Sequence, residues 1–185
     1  MADFKSGAFL ECTMTSVLTI VLGVLPCLLA ACTSALAAET HACDVLGKAR
    51  VAEVTGLQVE EVETQAPNPL GQSICFFSLP DQGLKPRFVQ LQLTDSENPA
   101  LKSKQMTAEG LYSNNMSFLE GARAVAGIGD KALWGGSGLT LGAGLHVLHG
   151  DLYFSIMVAS GNPQTSLEQA SILAKTVIKN FDSRH

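Results

Sequence analysis

An α+β domain, an antiparallel sheet with helices packed on one face, is the fold this sequence predicts, in the order α-βββ-α-βββ-α. Three observations carry it. Phe88 to Thr94 alternate, with Val89, Leu91 and Leu93 on one side and Gln90 and Gln92 on the other, the period of a half-buried strand. Two apolar runs, Leu139 to His149 and Leu152 to Ala159, are separated only by Gly150-Asp151, a two-residue loop suited to a primed hairpin turn. Leu167, Ala170, Leu173, Ala174, Val177, Ile178 and Phe181 then recur at helical spacing.

Taken in chain order, Asp44 to Thr55 reads as the first helix, with Val45, Leu46, Ala49, Ala52 and Val54 favouring one side and Gly56 as C-cap. Val59 to Ala66 is a first strand. Its Glu60, Glu61 and Glu63 read as a solvated edge, since carboxylates without further oxygen ligands make a poor calcium site. Pro67 to Gly71 is a turn by composition, Ser73 to Leu79 a second strand, and Pro80 to Gly83 another turn before the alternating third strand. Ser96 and Pro99 open a polar helix through about Asn114 that buries Leu101, Ala108, Leu111 and Tyr112. Ala122 to Val125 is a short strand, and the Gly150-Asp151 hairpin follows. Thr165-Ser166-Leu167-Glu168 has the form of a capping box for the last helix, with Lys175 and Lys179 in its favourable final turns. This order suggests two related halves, about Cys43–Thr94 and Pro99–Ala159.

Residues 1–37 read as signal peptide and tether, and 38–185 as one extracytoplasmic domain. An uncharged apolar run of 15 residues, Val17 to Ala31, is short for a membrane span and has the length of an export h-region. It ends in Leu29-Ala30-Ala31-Cys32, which has the form of a bacterial lipobox with Cys32 as the lipidated residue. The n-region departs from pattern, because Asp3 and Glu11 offset Lys5. Ala35-Leu36-Ala37 offers an ordinary cleavage site instead, giving a soluble periplasmic or secreted product. A retained helix anchor is the third alternative, since no charge interrupts Cys12 to Ala38. Each places the domain outside the cytoplasm.

Setting aside Cys12, Cys27 and Cys32 leaves Cys43 and Cys75, an even pair in an exported domain and so one expected disulfide. Their spacing is not the C-x-x-C of a redox or metal pair. From Ala38 onward 11 Lys and Arg stand against 15 Asp and Glu, a net charge of −4. With no basic cluster, nucleic acid is not an expected partner.

No catalytic constellation stands out, and neither a metal nor another cofactor is expected. Gly127-Ile128-Gly129-Asp130 lacks the Gly-Lys-Ser/Thr ending of a phosphate loop, so it reads as a turn whose glycines take positive φ. His146 and His149 lie three apart on a strand and point to opposite faces, which prevents a shared metal ion. Ser137, in Gly135-Gly136-Ser137-Gly138-Leu139, misses the G-x-S-x-G elbow at its fifth position. Trp134 beside Gly135, Gly136 and Ser137 is a candidate binding surface, an aromatic next to backbone with little side-chain cover; packing of the indole in the core is the alternative.

With these features the chain resembles small exported bacterial lipoproteins of unknown function, common in actinobacteria and built on a one-disulfide α+β domain. The resemblance rests on Leu29–Cys32, Cys43 with Cys75, Gly127 to Ala132, the Gly150-Asp151 hairpin and the final helix. It implies an envelope-tethered, non-enzymatic domain, held to the membrane by its N-terminal lipid, that binds another envelope protein or a small ligand. An apolar-ligand carrier, such as a lipid shuttle, is the alternative, and a hydrolase assembled from distant residues has less support.

The lipobox reading has a direct consequence. Cys32→Ser is expected to release the protein from membranes or leave it unprocessed, because acyl chains contribute about 0.8 kcal/mol per buried methylene. Membrane fractionation with N-terminal sequencing checks this, and a soluble product beginning at Ala38 would show ordinary cleavage.

Overall fold

A computed structural model describes residues 40–83, 85–119, 121–136 and 142–184. The segment read as signal peptide and tether, with Cys32 and Ala37, lies outside the described residues, as does Ser137. Helices α1 (Ala42–Val45) and α2 (Lys48–Thr55) precede strands β1 (Val62–Gln65), β2 (Ser73–Gln82) and β3 (Lys85–Asp95). Helices α3 (Pro99–Ser103) and α4 (Ala108–Met116) precede β4 (Arg123–Ala124), β5 (Lys131–Trp134), β6 (Leu145–His149) and β7 (Leu152–Ala159), and α5 (Pro163–Asp182) follows. All pairings are antiparallel, in the order β1-β2-β3-β7-β6-β5-β4, so the class is α+β. Each half is a meander whose last strand reaches the centre, where β3 and β7 pair. Among the described residues no helix is long and apolar enough to cross a membrane.

The helices occupy both faces of the sheet, which corrects the one-face expectation. Val89, Leu91 and Leu93 of β3, Val147 of β6 and Phe154 and Ile156 of β7 form the main core with α1, α2 and α5. Leu148 and Tyr153, out of phase with these along their strands, form a second cluster with Leu101, Ala108, Leu111 and Tyr112 of α3 and α4. The second half holds four strands rather than three, because the four-residue segment Lys131–Trp134 is itself a strand between β4 and β6.

Local chemistry explains where elements break. The single helix expected over Asp44 to Thr55 is two, interrupted at Leu46, which turns extended and is fully buried, and at Gly47, the N-cap of α2. Gly56 caps α2 in the left-handed conformation at φ 69°, as its position predicts. The polar helix is likewise two. Gln105, at φ 55°, closes α3 with Schellman bonds from its own amide to Lys102 O and from Met106 N to Leu101 O. At α5 the N-cap is Asn162 rather than Thr165. Its side chain accepts from the amides of Gln164 and Thr165, and Pro163 supplies the preset φ of the first turn, so the helix starts before the expected capping box.

The hairpin forms as its two-residue loop predicts: His149 pairs with Leu152, and Gly150 takes φ 53°. Gly127-Ile128-Gly129-Asp130 leads into strand β5, not a helix. Ile128 is buried in the main core. A Cβ on Gly129 would sit 2.5 Å from Leu148 O, so this glycine is required by contact as well as by its φ of 55°. Asp130 accepts from the amide of Gly150 at 2.7 Å, tying this turn to the distant hairpin rather than to its own amides.

Cys43 of α1 and Cys75 of β2 form a disulfide with Cα atoms 5.0 Å apart. The bridge spans 32 residues and fixes the short α1 to the sheet beside its link from Ala42 N to Ser73 Oγ at 2.8 Å. Reduction is expected to remove up to about 3.5–4 kcal/mol of stability through the freed loop entropy of the unfolded chain. Denaturation midpoints with and without reductant measure this; two thiols open to labelling in the native protein would contradict the bridge.

Candidate functional site

Strand alternation builds the site. On β6, Val147 and His149 face α5 while His146 and Leu148 face α4; on β7, Tyr153 and Ser155 share the α4 face. His146 and Ser155 stand directly opposite each other in the β6–β7 register. Thr107 starts α4 by accepting from Gly110 N, which brings Asn115, near the helix end, over Tyr153.

Three hydrogen bonds run through this point. Asn115 Nδ2 lies 2.9 Å from the Tyr153 hydroxyl, that hydroxyl 3.0 Å from His146 Nδ1, and His146 Nε2 3.0 Å from Gly142 O. The carbonyl at the end fixes the direction of all three. It can only accept, so His146 carries its proton on Nε2 and Nδ1 is a lone pair. Tyr153 must therefore donate to Nδ1, and Asn115 donates to Tyr153. Every group in the chain is used, as burial demands, with His146 7% and Tyr153 4% exposed. Burial pushes the His146 pKa down, against a smaller upward effect of the Gly142 carbonyl. Burial also raises the Tyr153 pKa, opposed by the Asn115 hydrogen bond, so both rings are neutral near pH 7. Tyr112 meets Tyr153 edge-on at 5.8 Å and closes the inner side of the network.

Beside it opens a cleft of about 440 Å³ between α4 and the sheet. Its strand side presents Gln72, Gln92, His146, Tyr153 and Ser155. Leu70 and Met106 also line it, with Leu111, Asn114 and Asn115 of α4 and with Phe118 and Leu119, which follow that helix. Phe118, 71% exposed, stands at the mouth. The volume lies within the range of about 300–1,000 Å³ typical of ligand pockets, and a mostly apolar wall with a few convergent polar groups is their usual chemistry.

The glycine-rich segment serves this cleft indirectly. Trp134 is only 5% exposed and packs in the main core, so its indole is not a surface for a partner. Sequence alternation decides this: Ala132 and Trp134 point to the core while Leu133 points to the α4 side. Gly135 N bonds to Gly144 O and Gly144 N to Gly136 O, extending the β5–β6 pairing. A Cβ on Gly135 would meet Gly142 O at 2.0 Å, and one on Gly142 would meet Leu119 Cδ2 at 1.9 Å. Bare backbone there lets Leu119 seat against Gly142, the residue whose carbonyl holds His146.

His149 lies on the opposite face, bonded to Asp182 Oδ1 of α5 at 3.0 Å. It borders a shallower depression of about 520 Å³ with Gly127, Asp130, Lys175 and Lys179. The two histidines are thus separated by the sheet, as alternation requires. The pairing of His146 with Ser155 does not make a nucleophile and base, because both ring nitrogens of His146 are engaged elsewhere.

The sequence reading did not single out Gln72, Gln92, Asn115, Tyr153 or Ser155. A signal for them existed: the polar phase of the central strands, Gln90, Gln92, His146, Tyr153 and Ser155, contains no charged residue. A solvated face normally carries Lys or Glu, so an uncharged polar face points to a covering layer. Comparison with protein-family models, with curated proteins and with solved structures gives no match to this chain.

The network predicts how stability depends on pH. With its folded pKa depressed, His146 is protonated first in the unfolded chain as pH falls. Its contribution to stability is therefore complete above about pH 6.5 and is lost progressively below that, toward the depressed folded value. Nitrogen NMR is expected to find His146 neutral and protonated on Nε2 at pH 7.5; an imidazolium or the Nδ1–H tautomer would contradict the network. Tyr153→Phe, which strands the buried Nδ1 of His146 and the partly buried amide of Asn115, is expected to cost about 1–3 kcal/mol.

Proposed function

We propose that this chain is an envelope-tethered binding domain and that its ligand is a small molecule held in the cleft between α4 and the sheet. One observation carries the reading: an apolar-walled cavity of ligand size whose polar residues converge on a fully bonded, rigid network. Concavity favours a small ligand over the flat contact that an envelope-protein partner requires. Tethering rests on the sequence alone, through the lipobox at Cys32. The reading is non-enzymatic, since His146, the register partner of Ser155, is already committed to structural hydrogen bonds.

A lipid-carrier role draws on the same apolar wall, formed by Leu111, Phe118 and Leu119. It differs in requiring exchange of cargo with a membrane. Transfer of a fluorescent lipid between donor and acceptor vesicles is its separate assay.

The main reading is tested with N-phenyl-1-naphthylamine, an uncharged dye that fluoresces in apolar sites. Purified exported protein is expected to bind it with saturable enhancement. Ser155→Phe, which fills the cleft floor, should lose that signal, and Thr165→Phe, on α5 across the sheet, should keep it. Equal enhancement in both variants would place the dye elsewhere and remove the support. Thermal melts of each variant separate blockage from unfolding.

A further inference from the structure

The charge of the ligand can be read from the lining, provided the cleft is the ligand site proposed above. Among the described residues that line it there is no Asp, Glu, Lys or Arg. Its polar members are the amides of Gln72, Gln92, Asn114 and Asn115 and the hydroxyl of Ser155, beside the His146–Tyr153 pair. The histidine adds no charge either. Its Nδ1 accepts from Tyr153 and its Nε2 donates to Gly142 O, so a second ring proton would face a hydroxyl that already points at Nδ1 and already accepts from Asn115.

This arrangement discriminates between head groups. A carboxylate, phosphate or ammonium entering the cleft would exchange water for neutral dipoles with no counter-charge among the described lining residues, a desolvation cost of several kcal/mol per ion. A hydroxyl, ester or amide loses far less on leaving water and can replace its hydrogen bonds with those of Gln92, Ser155 or Asn115. The remainder of the ligand meets Leu70, Met106, Leu111, Phe118 and Leu119, an apolar surface that recovers transfer free energy with each methylene buried. Lys131 and Glu109, paired at 2.8 Å and exposed, are not among the lining residues.

We infer that the cleft takes an uncharged amphiphile, a single hydrogen-bonding head set against the strands with an apolar chain lying along α4. A fatty alcohol or a monoacylglycerol has this chemistry; a fatty acid anion, a phospholipid or a cationic amphiphile does not.

Displacement of N-phenyl-1-naphthylamine at pH 7.5 tests it with three probes of equal chain length: decan-1-ol, decanoate and decylammonium. Decan-1-ol is expected to displace the dye at a concentration at least about tenfold lower than either ion. Gln92→Glu, which puts a carboxylate on the floor with little change of shape, should weaken decan-1-ol and bring decylammonium level with it or below it. Equal displacement by decanoate or decylammonium in the wild-type protein overturns the neutral-head assignment and leaves the cleft as a binding site. Dye that binds but yields to none of the three also overturns it. Failure of the dye to bind at all, or its survival in Ser155→Phe, removes the cleft reading and this inference with it.

Discussion

The pairing of β3 with β7 is the contact on which the architecture depends. It runs in unbroken register from Phe88 opposite Ala159 to Asp95 opposite Leu152. Among the described residues it is also the only strand pairing between the two meanders, since β1 and β2 pair within the first half and β4, β5 and β6 within the second. A one-residue slip there would turn Val89, Leu91 and Leu93 out of the main core and bring Gln90 and Gln92 into it. The same slip would disperse the cleft floor, because Gln92 of β3 and Ser155 of β7 are register partners in this seam. Fold and candidate site are therefore set by one alignment.

Covering that seam on both sides follows from the side chains the two strands carry. One face is apolar between Val89 and Leu93 of β3 and from Leu152 to Val158 of β7, with Asp95 at its end, and packs against the long α5 together with α1 and α2. The other is mixed, and α4 is too short to cover it all: nine residues from Ala108 to Met116 shield Leu148 and Tyr153 and then stop. The cleft lies beside that helix. Here the residues are neither core-like nor charged, and their hydrogen bonds are organised by Gly142 O at the far end of the chain from Asn115 through Tyr153 to His146.

Much of the fold was legible because period-two and period-3.6 patterns are local. The alternation of Phe88 to Thr94, the Gly150-Asp151 turn, Gly56 as a cap and the apolar stripe of α5 each report a local conformation that tertiary contacts then keep. The Cys43–Cys75 bridge was legible by arithmetic, once Cys12, Cys27 and Cys32 were set aside. What the pattern could not show was the second layer. Leu101, Leu111 and Tyr112 announce an amphipathic helix, but nothing local says which face of the sheet receives it. The site was hidden for the same reason: Asn115 and Tyr153 meet across 38 residues, and Gly142 matters through its carbonyl, which its side-chain identity does not reveal. Trp134 was conspicuous as the sole tryptophan, yet its place in the alternation of β5 sends it inward.

The disulfide has a mechanical side. A pull on the chain from its N-terminal direction reaches Cys43, the second residue of α1, and passes through a covalent bond into β2. The force then spreads across the β2–β3 ladder, loaded in shear along many hydrogen bonds at once, rather than peeling α1 and α2 away residue by residue. Any load entering ahead of α1 is in this way borne by the sheet, while the cleft beside α4 stands on the opposite face.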